Sequence, residues 1–141
     1  MGCTSSKPKG TLNITLDKLT HLSDREKTDP YVIFVAEQDN WVNDHTMGKC
    51  TATKESSDLN PVYGESFTIP VESLKNVVLK VKIFDDDAGY HNRVSGGCEI
   101  KVDDLIRPNE EPVLITRVIE EKKGKWFSKD SKIYLKLSYT E

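Results

Sequence analysis

The chain lacks most of what would carry it across a membrane, staple it covalently or equip it for catalysis. No apolar run in its 141 residues approaches the ~18 needed by a spanning helix. The opening MGCTSSKPKG has no apolar core of the kind found in a secretory signal. Only three cysteines occur, Cys3, Cys50 and Cys98, an odd number without metal-type spacing. That argues against a disulfide framework and fits a reducing compartment. The three histidines, His21, His45 and His91, have no nucleophile paired with them in the sequence, and no phosphate-cradling glycine loop or zinc motif is present. An enzyme is therefore not expected. A formal net charge of −3 provides no strong field of one sign. Nucleic acid is not an expected partner, and an anionic partner must be met by a local patch or a bridging cation. Helical periodicity beyond about two turns, internal repeats and a second domain are all missing.

What the chain has is period two. In TLNITLDKL, Leu12, Ile14 and Leu16 alternate with Asn13, Thr15 and Asp17, the pattern of a half-buried strand. YVIFVA, ESFTIPV, VVLKVKIF, the short EIKV and the closing KIYLKLSY read the same way, while VLITRVI is ambiguous. Turn residues separate the runs: Asp29-Pro30, Asn60-Pro61, Asp87-Ala88-Gly89, Gly96-Gly97 and Arg107-Pro108-Asn109. EQDNWVNDHTMG, which contains Trp41, reads as a long loop. Seven or eight short strands with such breaks predict an all-β, antiparallel sandwich. Residues 1–9 read as a flexible leader and residues 10–141 as one domain. Cys50 and Cys98 read as small core or strand residues. Lys49, Lys54, Lys80 and Lys82 read as the solvated outer face of strands, or as a basic face for phosphoinositides.

Met1-Gly2-Cys3-Thr4-Ser5-Ser6 matches the myristoylation pattern, with Gly2 exposed once Met1 is removed and Ser6 at the required place. Cys3 lies beside the modified glycine, within reach of a membrane-bound acyltransferase. One myristoyl chain binds only marginally, with an association constant of about 10⁴ M⁻¹. A second chain on Cys3 adds roughly 0.8 kcal/mol per buried methylene, and Lys7 and Lys9 about 1 kcal/mol each near an anionic leaflet. The expected location is the cytoplasmic face of the plasma membrane or an endomembrane, held by this lipid anchor.

Two acidic segments flank the strands. LSDREKTDPYV carries Asp24 and Asp29 just before a strand, and KIFDDDAGYHNRVSGG carries Asp85 and Asp87 just after one. Asp85 and Asp87 share a side of an extended segment, and loops at one end of a sandwich converge. Two carboxylates at ~5 Å repel by on the order of 3 kcal/mol at an effective dielectric of ~20. A cation offsets that cost, and calcium suits six to eight oxygens in adaptable geometry.

These segments resemble the C2 domain family. The resemblance is carried by T-D-P-Y-V (Thr28 to Val32), L-N-P-V-Y (Leu59 to Tyr63) followed by E-S-F (Glu65 to Phe67), and F-D-D-D (Phe84 to Asp87). It covers about residues 10 to 140 and implies an eight-stranded antiparallel Greek-key β-sandwich. The strand order looks like the family's phospholipase-like circular permutation, its second topology. By resemblance, Asp24, Asp29, Asp85 and Asp87 fall on calcium-chelating positions, with the backbone carbonyls of Arg25 and Asp86 beside them. The fifth acidic position is Arg93, and the calcium site is incomplete there. Asn92 next to it offers a neutral oxygen. Alternatively Arg93 fills the site with its own charge and the domain is calcium-independent. Tyr90, His91 and Arg93 from one loop, with Leu22 and Arg25 from another, are the candidate membrane contacts. Two functions stay open: a monomeric, membrane-anchored domain that binds anionic phospholipid with some calcium dependence, and a lipid-anchored adaptor whose domain binds a protein partner.

Overall fold

Alternation in the first strand sets the layer structure. Leu12, Ile14, Leu16 and Leu19 are each fully buried, while Asn13 and Thr15 lie between them on the outer side. The computed structural model describes residues 10–22, 30–39, 44–52, 60–85, 94–121 and 127–141. Its strands are β1 (Gly10–Leu22), β2 (Pro30–Asp39), β3 (Asp44–Thr51), β4 (Val62–Val71), β5 (Val77–Asp85), β6 (Val94–Lys101), β7 (Val113–Val118), β8 (Glu120–Glu121) and β9 (Phe127–Thr140). A 3-10 turn, Val102–Asp104, follows β6.

Two sheets result, one ordered β4-β1-β9-β7 and the other β3-β2-β5-β6-β8, with every strand-to-strand ladder antiparallel. This is the expected all-β sandwich. The two-residue β8 is the addition to the expected eight strands. The first and last strands, β1 and β9, are neighbours at the centre of the four-stranded sheet. Between the sheets lies one core, to which β5 contributes Val77, Leu79, Val81 and Ile83, and β9 contributes Ile133, Leu135, Leu137 and Tyr139. Each such side chain contributes about 1.5–3 kcal/mol through burial. Phe34 of β2 meets Phe67 of β4 across the core, with ring centroids 5.9 Å apart.

Two sequence expectations are corrected. EQDNWVNDHTMG was expected to be one long loop, but β2 runs on to Asp39 and β3 already begins at Asp44, pairing Asp39 with Asp44 and Gln38 with His45. The apolar alternation that marks a strand is weak there because β3 is an edge strand. Trp41 lies outside the described residues. Gly96-Gly97 was expected to be a turn, yet both glycines are buried within β6, opposite Ile83 and Lys82. A Cβ at Gly97 would overlap the Val81 carbonyl oxygen. The glycine therefore marks a close approach of two backbones rather than a reversal of the chain.

Candidate functional site

The two acidic segments leave the sandwich at the same end. β1 ends at Leu22, β2 starts at Pro30, β5 ends at Asp85 and β6 starts at Val94. The β2–β5 ladder pairs Pro30 with Asp85, and the β5–β6 ladder pairs Phe84 with Val94. Pro30, the residue after Asp29 in sequence, and Asp85 close the β2–β5 ladder. The backbone position of Asp85 is described. Asp24, Arg25, Asp29, Asp87, Tyr90, His91, Asn92 and Arg93 lie outside the described residues, as do Gly2 and Cys3.

The roots of the segments are held by one bond between the sheets and by contacts within each sheet. The Tyr63 hydroxyl donates to the Pro30 carbonyl at 2.7 Å in a buried position. It ties β4 to the residue that opens β2. Tyr31 and Phe84, register partners on β2 and β5, stack with centroids 5.2 Å apart and planes 10° from parallel. On the other side, the Ser131 hydroxyl donates to the His21 carbonyl at 2.6 Å, and the His21 N–H donates to Asn60 Oδ1 at 2.9 Å. Leu19 N–H donates to Pro61 O at 3.0 Å. The chain leading into β4 is thereby bound to the end of β1.

Leu22, expected to contact membrane, is instead 7% exposed and part of the core. Two irregularities interrupt β1. Register shifts fall between Leu16 and Lys18 and between Thr20 and Leu22. His21 sits at φ 56, and the extra residue turns Leu22 inward. The two shifts cancel, so Leu22 returns to the inward phase of Leu12, Ile14 and Leu16, and the expectation failed by assigning it to the loop rather than to β1. Tyr63 and Ser131 were also missed as supports. Tyr63 was visible within L-N-P-V-Y, and its being an aromatic with a polar end was the signal available. Ser131 had none.

On the outer face of the five-stranded sheet, Lys80 has acidic neighbours. Lys80 Nζ lies 2.7 Å from Glu37 Oε1 and 3.9 Å from Glu99 Oε1. A depression of about 540 Å³ on this face is lined by Lys80, Lys82, Glu99 and Glu120 among others, so its charge is mixed. The Lys49 side chain and all of Lys54 lie outside the described residues. Cys50 and Cys98 are half-buried packing residues, as expected, and burial pushes each thiol up to about 11. For Cys98 the nearby Arg117 partly opposes the shift, and Glu120 and Glu99 add to it. Neither thiol is activated as a nucleophile. Among the described residues no group of three or more His, Cys, Asp or Glu side chains is placed to hold a metal ion.

The fold defines a class, and comparison with known proteins identifies it. The C2 domain model matches residues 10–118, and the chain belongs to the C2 domain family. Among curated relatives, Synaptotagmin-9 of Rattus norvegicus is 34% identical over 96 residues, covering 64% of this chain and 19% of that protein. A calcium-dependent lipid-binding protein of Arabidopsis thaliana is 30% identical over 91 residues, covering 62% of this chain and 16% of that protein. The chain thus spans under a fifth of the length of these relatives. Among solved structures, a C2 domain of plant Extended Synaptotagmin 1 superposes with a TM-score of 0.74 at 18% identity, covering 95% of this chain and 96% of that one.

Proposed function

We propose that this chain is a non-enzymatic, membrane-associated C2 protein that binds anionic phospholipid through the end of the sandwich bearing the two acidic segments. The observation that supports the reading is the register pairing of Pro30, which follows Asp29 in sequence, with Asp85. Asp24, Asp29, Asp85 and Asp87 would hold calcium through carboxylate oxygens, with Asn92 as a neutral donor. The ion would offset the carboxylate repulsion and give an anionic headgroup a positive centre. Arg25, Tyr90, His91 and Arg93 would meet the headgroup region. Acyl chains on Gly2 and Cys3 would supply residence at the cytoplasmic face of the plasma membrane or an endomembrane. Two relatives support the lipid reading, one of them by its name as a calcium-dependent lipid-binding protein. The adjacency of β1 and β9 supports the phospholipase-like strand order.

The test is co-sedimentation of the full, unacylated chain with phosphatidylserine vesicles, in calcium and in chelator. The expected result is pelleting in calcium alone. Absence of binding in both conditions would replace this reading with the adaptor, in which Arg93 fills the cation site. In that case Arg93→Asp is expected to create calcium binding that the parent lacks. The acyl anchor has a separate test. Intact mass of the protein from a eukaryotic cell is expected to show both acyl groups, and an unmodified Gly2 would remove the anchor from the account.

A further inference from the structure

The two edges of the four-stranded sheet are built differently. β4, at one edge, carries Gly64 at φ 60 within the register shift opposite Leu16 and Lys18, follows Pro61 and holds Pro70 near its end. Bulges and prolines are the usual devices by which an edge refuses a further strand. β7, at the other edge, is VLITRV. It contains no glycine or proline, and its ladder with β9 runs without a shift from Val113 to Val118. Leu114 is 74% exposed and Val118 53% exposed, with Thr116 exposed between them.

The direction of the backbone groups follows from the ladder. Ile119 N–H donates to Ser131 O at 3.0 Å, continuing the register beyond the pair Val118–Lys132. Bonded positions in an antiparallel ladder recur every second residue. Val113, Ile115 and Arg117 therefore turn their N–H and C=O groups to β9, and Leu114, Thr116 and Val118 turn theirs to the edge that no described strand covers. Consistently, the Thr116 carbonyl accepts a bond from its own neighbour's Arg117 Nη1 at 3.2 Å instead of from β9. The residues with outward backbone groups are the same three whose side chains stand on the outer face.

We propose that β7 pairs antiparallel with β7 of a second copy of this chain, about a two-fold axis through Thr116. The occupant is selected by self-complementarity. Only a strand can answer a row of strand N–H and C=O groups. In the register that sets Thr116 against Thr116, Leu114 lies opposite Val118 of the second copy and Val118 opposite its Leu114. All three outward residues of both strands are then paired, and two apolar pairs flank a threonine pair, a favourable cross-strand set. The pairing is isologous and uses the β7 edge of both copies, so it closes at two. An interface of one short strand lies at the small end of specific contacts, so the dimer is weak and populated at high local concentration. This replaces the monomer expected from the sequence and does not depend on the lipid reading.

The experiment is sedimentation equilibrium of the full chain, up to about 1 mM, where an association worth only about 4 kcal/mol is half formed. The wild type is expected to rise toward twice the monomer mass. Thr116→Lys, which sets two like charges opposite each other at an exposed position, is expected to remain monomeric. An equimolar mixture with Thr116→Glu is expected to recover the dimer. A second readout is independent of these charges. Residues in a bonded antiparallel pair lie ~5.5 Å apart at Cα, within disulfide reach. Thr116→Cys is therefore expected to give a covalent dimer under mild oxidation, and Leu114→Cys none. A wild type of monomer mass throughout, a dimeric Thr116→Lys, no recovery on mixing, or equal cross-linking of the two cysteine variants would each overturn the proposal.

Discussion

The two sheets of this sandwich divide the labour unequally. The four-stranded sheet places the first and last strands side by side at its centre, and its contribution is chiefly core. Through β2, β5 and β6, the five-stranded sheet roots the segments that bear the acidic residues. The sheets meet functionally where Tyr63 of β4 reaches the Pro30 carbonyl of β2. On the proposed reading, the difference makes stability and binding separable. A lesion deep in the four-stranded sheet should cost stability alone, and a lesion at the β2, β5 or β6 roots should cost both.

The largest effect expected is from Leu137→Ala. Leu137 is fully buried on β9, and removing a buried leucine side chain costs about 2–5 kcal/mol. Chemical denaturation should show that loss, while the calcium affinity of the folded fraction stays at the wild-type value. A matching loss of affinity would erase the division between the sheets. Next is Gly97→Ala, whose Cβ would meet the Val81 carbonyl and push β6 from β5. Overpacking of this kind costs about 1–3 kcal/mol. Here calcium and vesicle binding should weaken along with stability, because β5 and β6 bracket residues 86–93. Unchanged binding would mean that the β5–β6 spacing does not set the site.

Tyr63→Phe is a finer probe. It leaves the Pro30 carbonyl buried without its donor, at a cost of about 1–3 kcal/mol. Binding should fall more than for a core variant of equal destabilisation, since the lost bond spans the sheets at the root of residues 23–29. The smallest effect is in alkali. Both half-buried thiols have folded values pushed from 9.0 up to about 11, chiefly by burial. Their neutral forms are favoured in the fold, so this contribution is intact below about pH 9. It is lost as the pH rises toward 11, where the unfolded thiols ionise first. Denaturation midpoints should fall over that window, and Cys98→Ala should flatten the fall.

In much of β1, β5 and β9 the sequence discloses the buried face. Leu12, Ile14 and Leu16, the β5 set from Leu79 to Ile83, and the β9 set from Ile133 to Tyr139 all face the core, as their alternation predicts. Legibility fails where the ladder departs from period two. The shift after Leu16 turns Leu19 inward, out of phase with Leu12, Ile14 and Leu16, and the Gly96-Gly97 approach imitates a turn. An edge strand such as β3 need not alternate, because one side of its ladder is unpaired. Of the candidate site, the strand ends Leu22, Pro30 and Asp85, which border the two acidic segments, followed from the strand reading to within a few residues. The struts beneath them, Tyr63 and Ser131, did not, because a hydrogen bond from a side chain to a distant carbonyl leaves no trace in local pattern. The mixed charge around Lys80 was likewise hidden, since Glu37 and Glu99 become its neighbours only when β2, β5 and β6 pair.

The central claim is that the β2–β5 register makes Asp29 and Asp85 parts of one cation site, and calcium titration calorimetry on the unacylated chain tests it most directly. Wild type, Asp29→Asn, Asp85→Asn and the double variant form a cycle. The account predicts calcium binding by the wild type, a loss of about tenfold or more in each single variant, and a double variant hardly worse than either. Wild type that binds no calcium, or losses that simply add as they would for two independent positions, would contradict it.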